Sequence, residues 1–256
     1  MAGTDDAVPI AELLDERRHL LHVAYWMLGS SRAAENVIDE TYRRWFELPE
    51  QARARITAPR SWLAGVAGSI CLTWPALPEL DRAGAVADLV RRTDSRGAGS
   101  RGAEPRGAEP QGAEPAALAR HSLRARHARP TSARQHDTVA RAVHLACVTH
   151  DEGLLTSLLA ADATAFFDGG GKVRTLIDPV HGNTHVARTL LTLLARHPRT
   201  TLHPRPVNGR TGLVVRYGPH VAAVISLDVA GPHVVQVWGT LNPDKLRTWN
   251  RPSPGT

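Results

Sequence analysis

The chain has 256 residues, enough for two domains of ordinary size and a linker, and 42% of them are hydrophobic. With 31 Lys and Arg against 25 Asp and Glu the formal net charge is +6. No apolar run approaches the ~18 residues that span a bilayer and no signal peptide opens the chain, so a soluble, cytoplasmic protein without a membrane partner is expected.

The charge is unevenly placed. Residues 1–90 hold nine Lys and Arg against thirteen Asp and Glu; 91–134 hold ten against four; 135–256 hold twelve against eight. A mildly acidic front therefore meets a basic middle. Cys71 and Cys147 lie in separate apolar segments without metal-ligand spacing, and read as free buried thiols in a reducing compartment.

In chain order, Ile10, Leu13, Leu14, Leu20, Leu21, Ala24, Tyr25 and Leu28 form the apolar stripe of a first helix, which Gly29 stops. Ser30 or Ser31 offers the N-cap of a second helix with Ala34, Val37, Ile38, Tyr42 and Trp45 on its buried face. Opposite that face Glu35, Asp39 and Arg43 share one i,i+4 row, and Glu40 stands above Arg44 in another. Pro49 closes this element. A third helix from about Pro59 carries Trp62, Leu63, Val66, Ala67 and Ile70; Gly65 and Gly68 within it cost about 1 kcal/mol each and predict a backbone packed closely there.

The middle of the chain repeats a five-residue unit: Arg101-Gly-Ala-Glu-Pro105, Arg106-Gly-Ala-Glu-Pro110 and Gln111-Gly-Ala-Glu-Pro115, after a degenerate copy at 96–100. No apolar side chain larger than Ala occurs in it, so it cannot bury a core. We read 76–134 as a low-complexity basic linker, with helical patterns only at 83–90 and 116–128. Its charge suits loose contact with nucleic acid or an acidic protein.

Beyond the linker, 138–145 and 154–159 read as short helices, 163–167 as a strand and 183–196 as a helix. Strand patterns then run over 212–217, 221–229 and 234–238, separated by turns at Gly218-Pro219 and Gly231-Pro232. Helices followed by a meander predict an α+β layer, so the chain as a whole is expected to be α+β: an all-α unit at 8–75, the linker, and an α+β unit at 135–250.

The run from Leu20 through Ser30-Ser31-Arg32 to Trp45, followed by Pro59-Arg-Ser-Trp-Leu63 and on to Cys71-Leu72, resembles region 2 of the sigma-70 family in its extracytoplasmic-function group. The resemblance implies that the second helix docks on core RNA polymerase, with Glu35, Asp39, Glu40, Arg43 and Arg44 facing it. It implies also that the segment through the third helix meets the −10 promoter element, through Arg53, Arg55 and Arg60 on phosphates and Trp62 either stacked on an unpaired base or anchoring the core. Two departures bear on DNA: Ala34 and Asn36 stand where the family usually has aspartates, and the third helix meets Thr73-Trp-Pro-Ala-Leu-Pro78 in place of an Arg-rich run. Promoter recognition is therefore expected to be weaker than polymerase contact.

The back half resembles the SnoaL-like family within the nuclear-transport-factor-2-like cone fold. Asp168-Gly-Gly-Gly-Lys-Val173, Pro179-Val-His-Gly182, Val207-Asn-Gly209 and Leu241-Asn-Pro-Asp-Lys-Leu246 look like the carboxy-terminal extension of one extracytoplasmic-function sigma group. In that group the extension regulates in cis. Asp168, Lys172, Asn242, Asp244 and Lys245 are then interdomain or pocket-rim residues, and 242–246 reads as a capped turn opening a final helix. Family members carry a helix-turn-helix of ~50–60 residues between the halves. Here only 118–129 resembles its basic tail, so the body of that module is expected to be missing.

The competing reading is a small-molecule-binding or polyketide-cyclase-like enzyme built on the cone, with a vestigial sigma unit. Asp168, Asp228, His181 and His220 are its candidate acids and bases, but no spacing pairs them. His181 and His185 are four apart, yet Gly182 places His181 ahead of the helix and no third ligand is evident, so no metal is expected. The triple glycine lacks a following P-loop Lys-Ser/Thr, and no cofactor motif is found. A non-enzymatic sigma-like regulator binding core RNA polymerase is the reading these residues support best.

Overall fold

The computed structural model describes residues 7–73 and 131–251. The pentapeptide repeats, the helical pattern at 83–90 and the basic tail at 118–129 lie outside the described residues.

Four helices form the first part: α1 (Ile10–Leu28), α2 (Ser31–Glu47), α3 (Glu50–Ala54) and α4 (Pro59–Thr73). Gly29 takes φ +66° and donates its N–H to the Tyr25 carbonyl, ending α1 where the sequence placed the stop. Ser30 then caps α2, its Oγ accepting from the Ala33 N–H at 3.3 Å. Val37, Ile38, Tyr42 and Trp45 of α2 pack with Leu20 and Ala24 of α1 and with Leu63, Ala67 and Ile70 of α4 in one buried cluster. Pro49 both follows α2 and stands at the N-cap of α3, a five-residue helix too short to show apolar periodicity.

The expected close packing at Gly65 and Gly68 is corrected by the structure. A Cβ at either position meets no atom within 4 Å among the described residues. Among the described residues, then, both glycines weaken α4 without a steric reason. Gly65→Ala and Gly68→Ala are each expected to raise stability by up to about 1 kcal/mol, read as a higher urea midpoint with an unchanged m value.

The second part runs α5 (Ala133–Thr149), α6 (Glu152–Leu158), β1 (Leu159–Asp168), β2 (Val180–His181), α7 (Asn183–Leu193), β3 (Thr200–Val207), β4 (Arg210–Tyr217), β5 (His220–Ala230) and β6 (His233–Thr240), then a 3₁₀ turn at Lys245–Thr248. The sheet order is β2-β1-β6-β5-β4-β3. Among the described strands only β1 and β6 pair in parallel; the meander β3 to β6 is antiparallel throughout, as the turn residues required. Asn208 and Gly209, at φ +52° and +76°, make the tight hairpin between β3 and β4. The α+β architecture holds, with β3 as an addition: Pro204 and Pro206 mask it in the sequence, and it lies at the sheet edge, where a missing N–H is tolerated. The final helix is a single 3₁₀ turn, with Asn242 Oδ1 accepting from the Asp244 N–H at 3.0 Å.

The larger core joins α5, α6, α7 and the sheet through Val139, Val143, Leu155, Val186, Leu190, Val215, Ile225 and Val237. Ile10, Ala11 and Leu13, from the first turn of α1, belong to this same cluster. So α1 is shared: its beginning is buried with the sheet, its end with α2 and α4. Cys71 and Cys147 are free and buried; burial raises both thiol pKa values, that of Cys147 to about 12, which keeps it unreactive.

Candidate functional site

Of the two expected rows on the charged face of α2, Glu40 pairs with Arg44 as expected, whereas Asp39 does not pair with Arg43. Glu40 accepts from both Arg43 (2.6 Å) and Arg44 (2.9 Å), and Arg43 reaches on to Glu47. The hydrogen bond from Arg43, ahead of the opposing effect of burial, holds the Glu40 carboxyl below its ordinary pKa. Glu35 is taken by Arg17 of α1 at 2.5 Å. Asp39 leaves Arg43 and turns to Lys172, 133 residues away, at 2.7 Å.

Lys172 stands in the loop after β1 and donates also to Asp244 at 3.0 Å. It is therefore a clasp between α2 and the 241–246 segment. Burial pulls its ammonium down, but the hydrogen bonds to Asp39 and Asp244 outweigh that and raise its pKa; the bond from Lys172 in turn lowers that of Asp244. The sign follows for each. The Asp244 contribution is present above the ordinary carboxylate range and lost as pH falls below it, and that of Lys172 is present below the ordinary lysine range and lost above it. The clasp is at full strength across neutral pH.

The loop that carries Lys172 is shaped by its glycines. Asp168 Oδ1 accepts from the Gly170 N–H at 2.8 Å, and the Asp168 carbonyl accepts from the N–H groups of Leu241 and Asn242. Gly170, at φ +61°, lies so close to Asn242 that a Cβ there would stand 2.1 Å from its Nδ2. Lys245 reaches Asp168 at 2.7 Å. Asp168, Lys172, Asn242, Asp244 and Lys245 are thus assembled into one cluster, and Asp39 of α2 touches it.

The four residues proposed for DNA lie on α3, at its end and on the first turn of α4. Arg55 and Arg60 are exposed, Arg53 is half-buried, and Trp62 packs edge-on against Trp45 with ring centroids 5.4 Å apart. The enzyme candidates are spread over three strands, with Asp228 and His181 on the outer members of one register row, Asp228–Gln236–Thr164–His181. Asp168 faces Lys245, Asp228 lies opposite Gln236 in the β5–β6 ladder, His181 is on β2 beside Thr164, and His220 opens β5. His181 precedes α7, as Gly182 at φ +88° dictates.

Sequence reasoning missed a buried polar triad between the two parts. Glu16 of α1 is 2% exposed; it accepts from the Tyr42 hydroxyl at 3.2 Å and from Arg174 Nη2 at 3.2 Å. Burial first, then the charge of Glu16, pushes the Tyr42 phenol well above its ordinary pKa. The Arg174 guanidinium also lies over the Trp45 ring, 5.8 Å from its centroid. Nearby, Tyr217 of β4 donates to Asp15 at 2.8 Å. The available signal was the interruption of the α1 stripe between Leu14 and Leu20, where a charged residue falls on the inward face.

No known family profile matches the chain. The ECF RNA polymerase sigma factor SigJ of Mycobacterium tuberculosis is 25% identical to it, with 93% of each chain covered. Over nearly its whole length the chain is similar to an extracytoplasmic-function sigma factor. This supports the family read from the residues, a sigma factor with a SnoaL-like carboxy-terminal extension, and makes the chain sigma-factor-like. The alignment runs over 295 positions, more than the 256 residues here, so the relative carries residues without a counterpart in this chain. Among solved structures, the crystal structure of the same SigJ covers 93% of this chain and 98% of its own at TM-score 0.38 and 21% identity. A putative ketosteroid isomerase from Kribbella flavida covers 48% of this chain and 84% of its own at TM-score 0.34 and 15% identity. No helix among the described residues is long and apolar enough to cross a membrane.

Proposed function

We propose that the chain is a non-enzymatic transcription regulator that docks on core RNA polymerase through the charged face of α2, with the sheet domain controlling that docking in cis. The observation that carries the reading is the Lys172 clasp: a residue of the sheet domain holds Asp39, one of the five residues that the family resemblance assigns to polymerase. Glu40, Arg43 and Arg44 stay on the solvent side and are left to engage a complementary surface. Asp168, Asn242, Asp244 and Lys245 shape and brace the clasp. Promoter contact through Arg53, Arg55 and Arg60 is secondary, and the residues that the relative has and this chain lacks are, in this reading, the helix-turn-helix for the −35 element.

A pull-down with core RNA polymerase tests this. The intact protein is expected to be retained, Arg43→Glu combined with Arg44→Glu to lose retention at least tenfold, and Lys172→Ala to increase it by freeing Asp39. Failure of both the intact protein and the Lys172→Ala variant to be retained would overturn the reading.

A further inference from the structure

Ala165 and Val237, buried with the helices of the larger core, alternate along their strands with Phe166 and Trp238, which therefore point to the opposite, outer face of the sheet. Phe166 and Trp238 are register partners and stack, with ring centroids 4.3 Å apart and 14° between planes, yet Trp238 stays 48% exposed. On β5 the next member of that row is Ser226, too small to cover the second face of the indole. Asp228 stands diagonally across from Trp238, at the ~7–8 Å that a long side chain spans. Strands β1, β2, β5 and β6 carry Asp162, Asp168 and Asp228 and no Lys or Arg. An open indole face beside a carboxylate is a seat for a guanidinium, which stacks on the one and pairs with the other.

The chain brings guanidinium groups to this place. The described residues resume at Thr131, whose hydroxyl donates to the Val229 carbonyl at 2.8 Å, one residue beyond Asp228. Just before it, residues 118–129 carry Arg120, Arg124, Arg126 and Arg129 and no acid. By strand spacing Trp238 lies roughly 11 Å from Val229, and the five residues from Thr131 back to Arg126 span up to ~17 Å. We propose that residues 118–129 dock on this outer face, with one arginine seated between Trp238 and Ser226 and paired with Asp228. The tether favours the chain's own segment over a separate basic protein, because it holds these arginines at an effective concentration in the millimolar range. The sheet then competes with nucleic acid for a basic segment of its own chain. This docking does not rest on polymerase binding.

Trypsin cleavage and DNA binding of the full chain test it. Trp238→Ala, with an unchanged circular dichroism spectrum, is expected to be cut after Arg120, Arg124 and Arg126 about fivefold faster than the parent, and after Arg101 and Arg106 in the repeats at the parent rate. A short fluorescein-labelled DNA duplex of arbitrary sequence, followed by anisotropy at low salt, is expected to bind this variant at least about threefold tighter, since the released arginines can then displace counterions. Ser226→Leu, which fills the seat and leaves Trp238 in place, is expected to have the same two effects. With Arg120, Arg124, Arg126 and Arg129 all changed to Gln, Trp238→Ala is expected to leave DNA binding unchanged. Unchanged cutting at 118–129 or unchanged DNA affinity in the folded single variants overturns the proposal. So does equal acceleration in the repeats, or a gain in DNA affinity that persists in the Gln background. Weaker DNA binding by Trp238→Ala overturns it too, and assigns the aromatic pair to nucleic acid.

Discussion

Arg174→Met is expected to lower the unfolding free energy by about 3–5 kcal/mol, the range for removing one partner of a buried ion pair. Glu16 is 2% exposed and the Arg174 side chain 17%, so water cannot take over the role of the guanidinium. The loss would come from the stranded carboxylate more than from any attraction forgone. A triple variant separates the two. Glu16→Leu with Tyr42→Phe and Arg174→Met removes every polar member of the triad at once, and is expected to recover most of the stability lost in the single variant. Urea denaturation of parent, single and triple variants checks this; a triple variant less stable than Arg174→Met would contradict it.

Gly170→Ala is the second large effect, expected at about 2–3 kcal/mol from the left-handed backbone and the displaced turn together. A Cβ there would lie 2.1 Å from Asn242 Nδ2 and 2.4 Å from its Cγ, so the Asn242 side chain must leave and its bond to the Asp244 N–H goes with it. Gly171→Ala is the control. Its φ of +67° imposes a similar backbone cost, but a Cβ there meets open space, and it should lose about 1 kcal/mol. Amide exchange at 242–248 should rise in the first variant and not in the second. Equal losses in both would mean that Asn242 contributes nothing.

The elements that the sequence made legible are those whose signals are local. Gly29 and Ser30 mark the α1–α2 corner by backbone conformation and side-chain capping, and both act within one turn. The paired turns at Gly218 and Gly231 likewise announce the meander. What stayed hidden depends on residues far away in the chain. Asp39 and Arg43 are spaced as an i,i+4 pair, worth only about 0.3–0.5 kcal/mol on an exposed helix, so Lys172 can take Asp39 away at little cost. Pro204 and Pro206 argue against a strand until its place at the sheet edge is known. The DGGG and NPDK motifs were visible as motifs, but only the fold shows that Gly170 exists to admit Asn242. Arg174 carried no signal at all, because its partner Glu16 lies 158 residues earlier.

The sharing of α1 between two cores has a consequence for synthesis. Ile10, Ala11 and Leu13 are made some 200 residues before β4 and β5, which contribute to the buried cluster that they join. At the usual ~5–20 residues per second, an apolar helix end is uncovered for ten seconds or more while the helical part is already able to fold. The nascent chain therefore passes through a stage with its charged α2 face formed, Asp39 not yet clasped, and the apolar first turn of α1 uncovered. Completion of the last strands both covers that end and sets the clasp, so the first form of this protein to meet other molecules differs from the finished one.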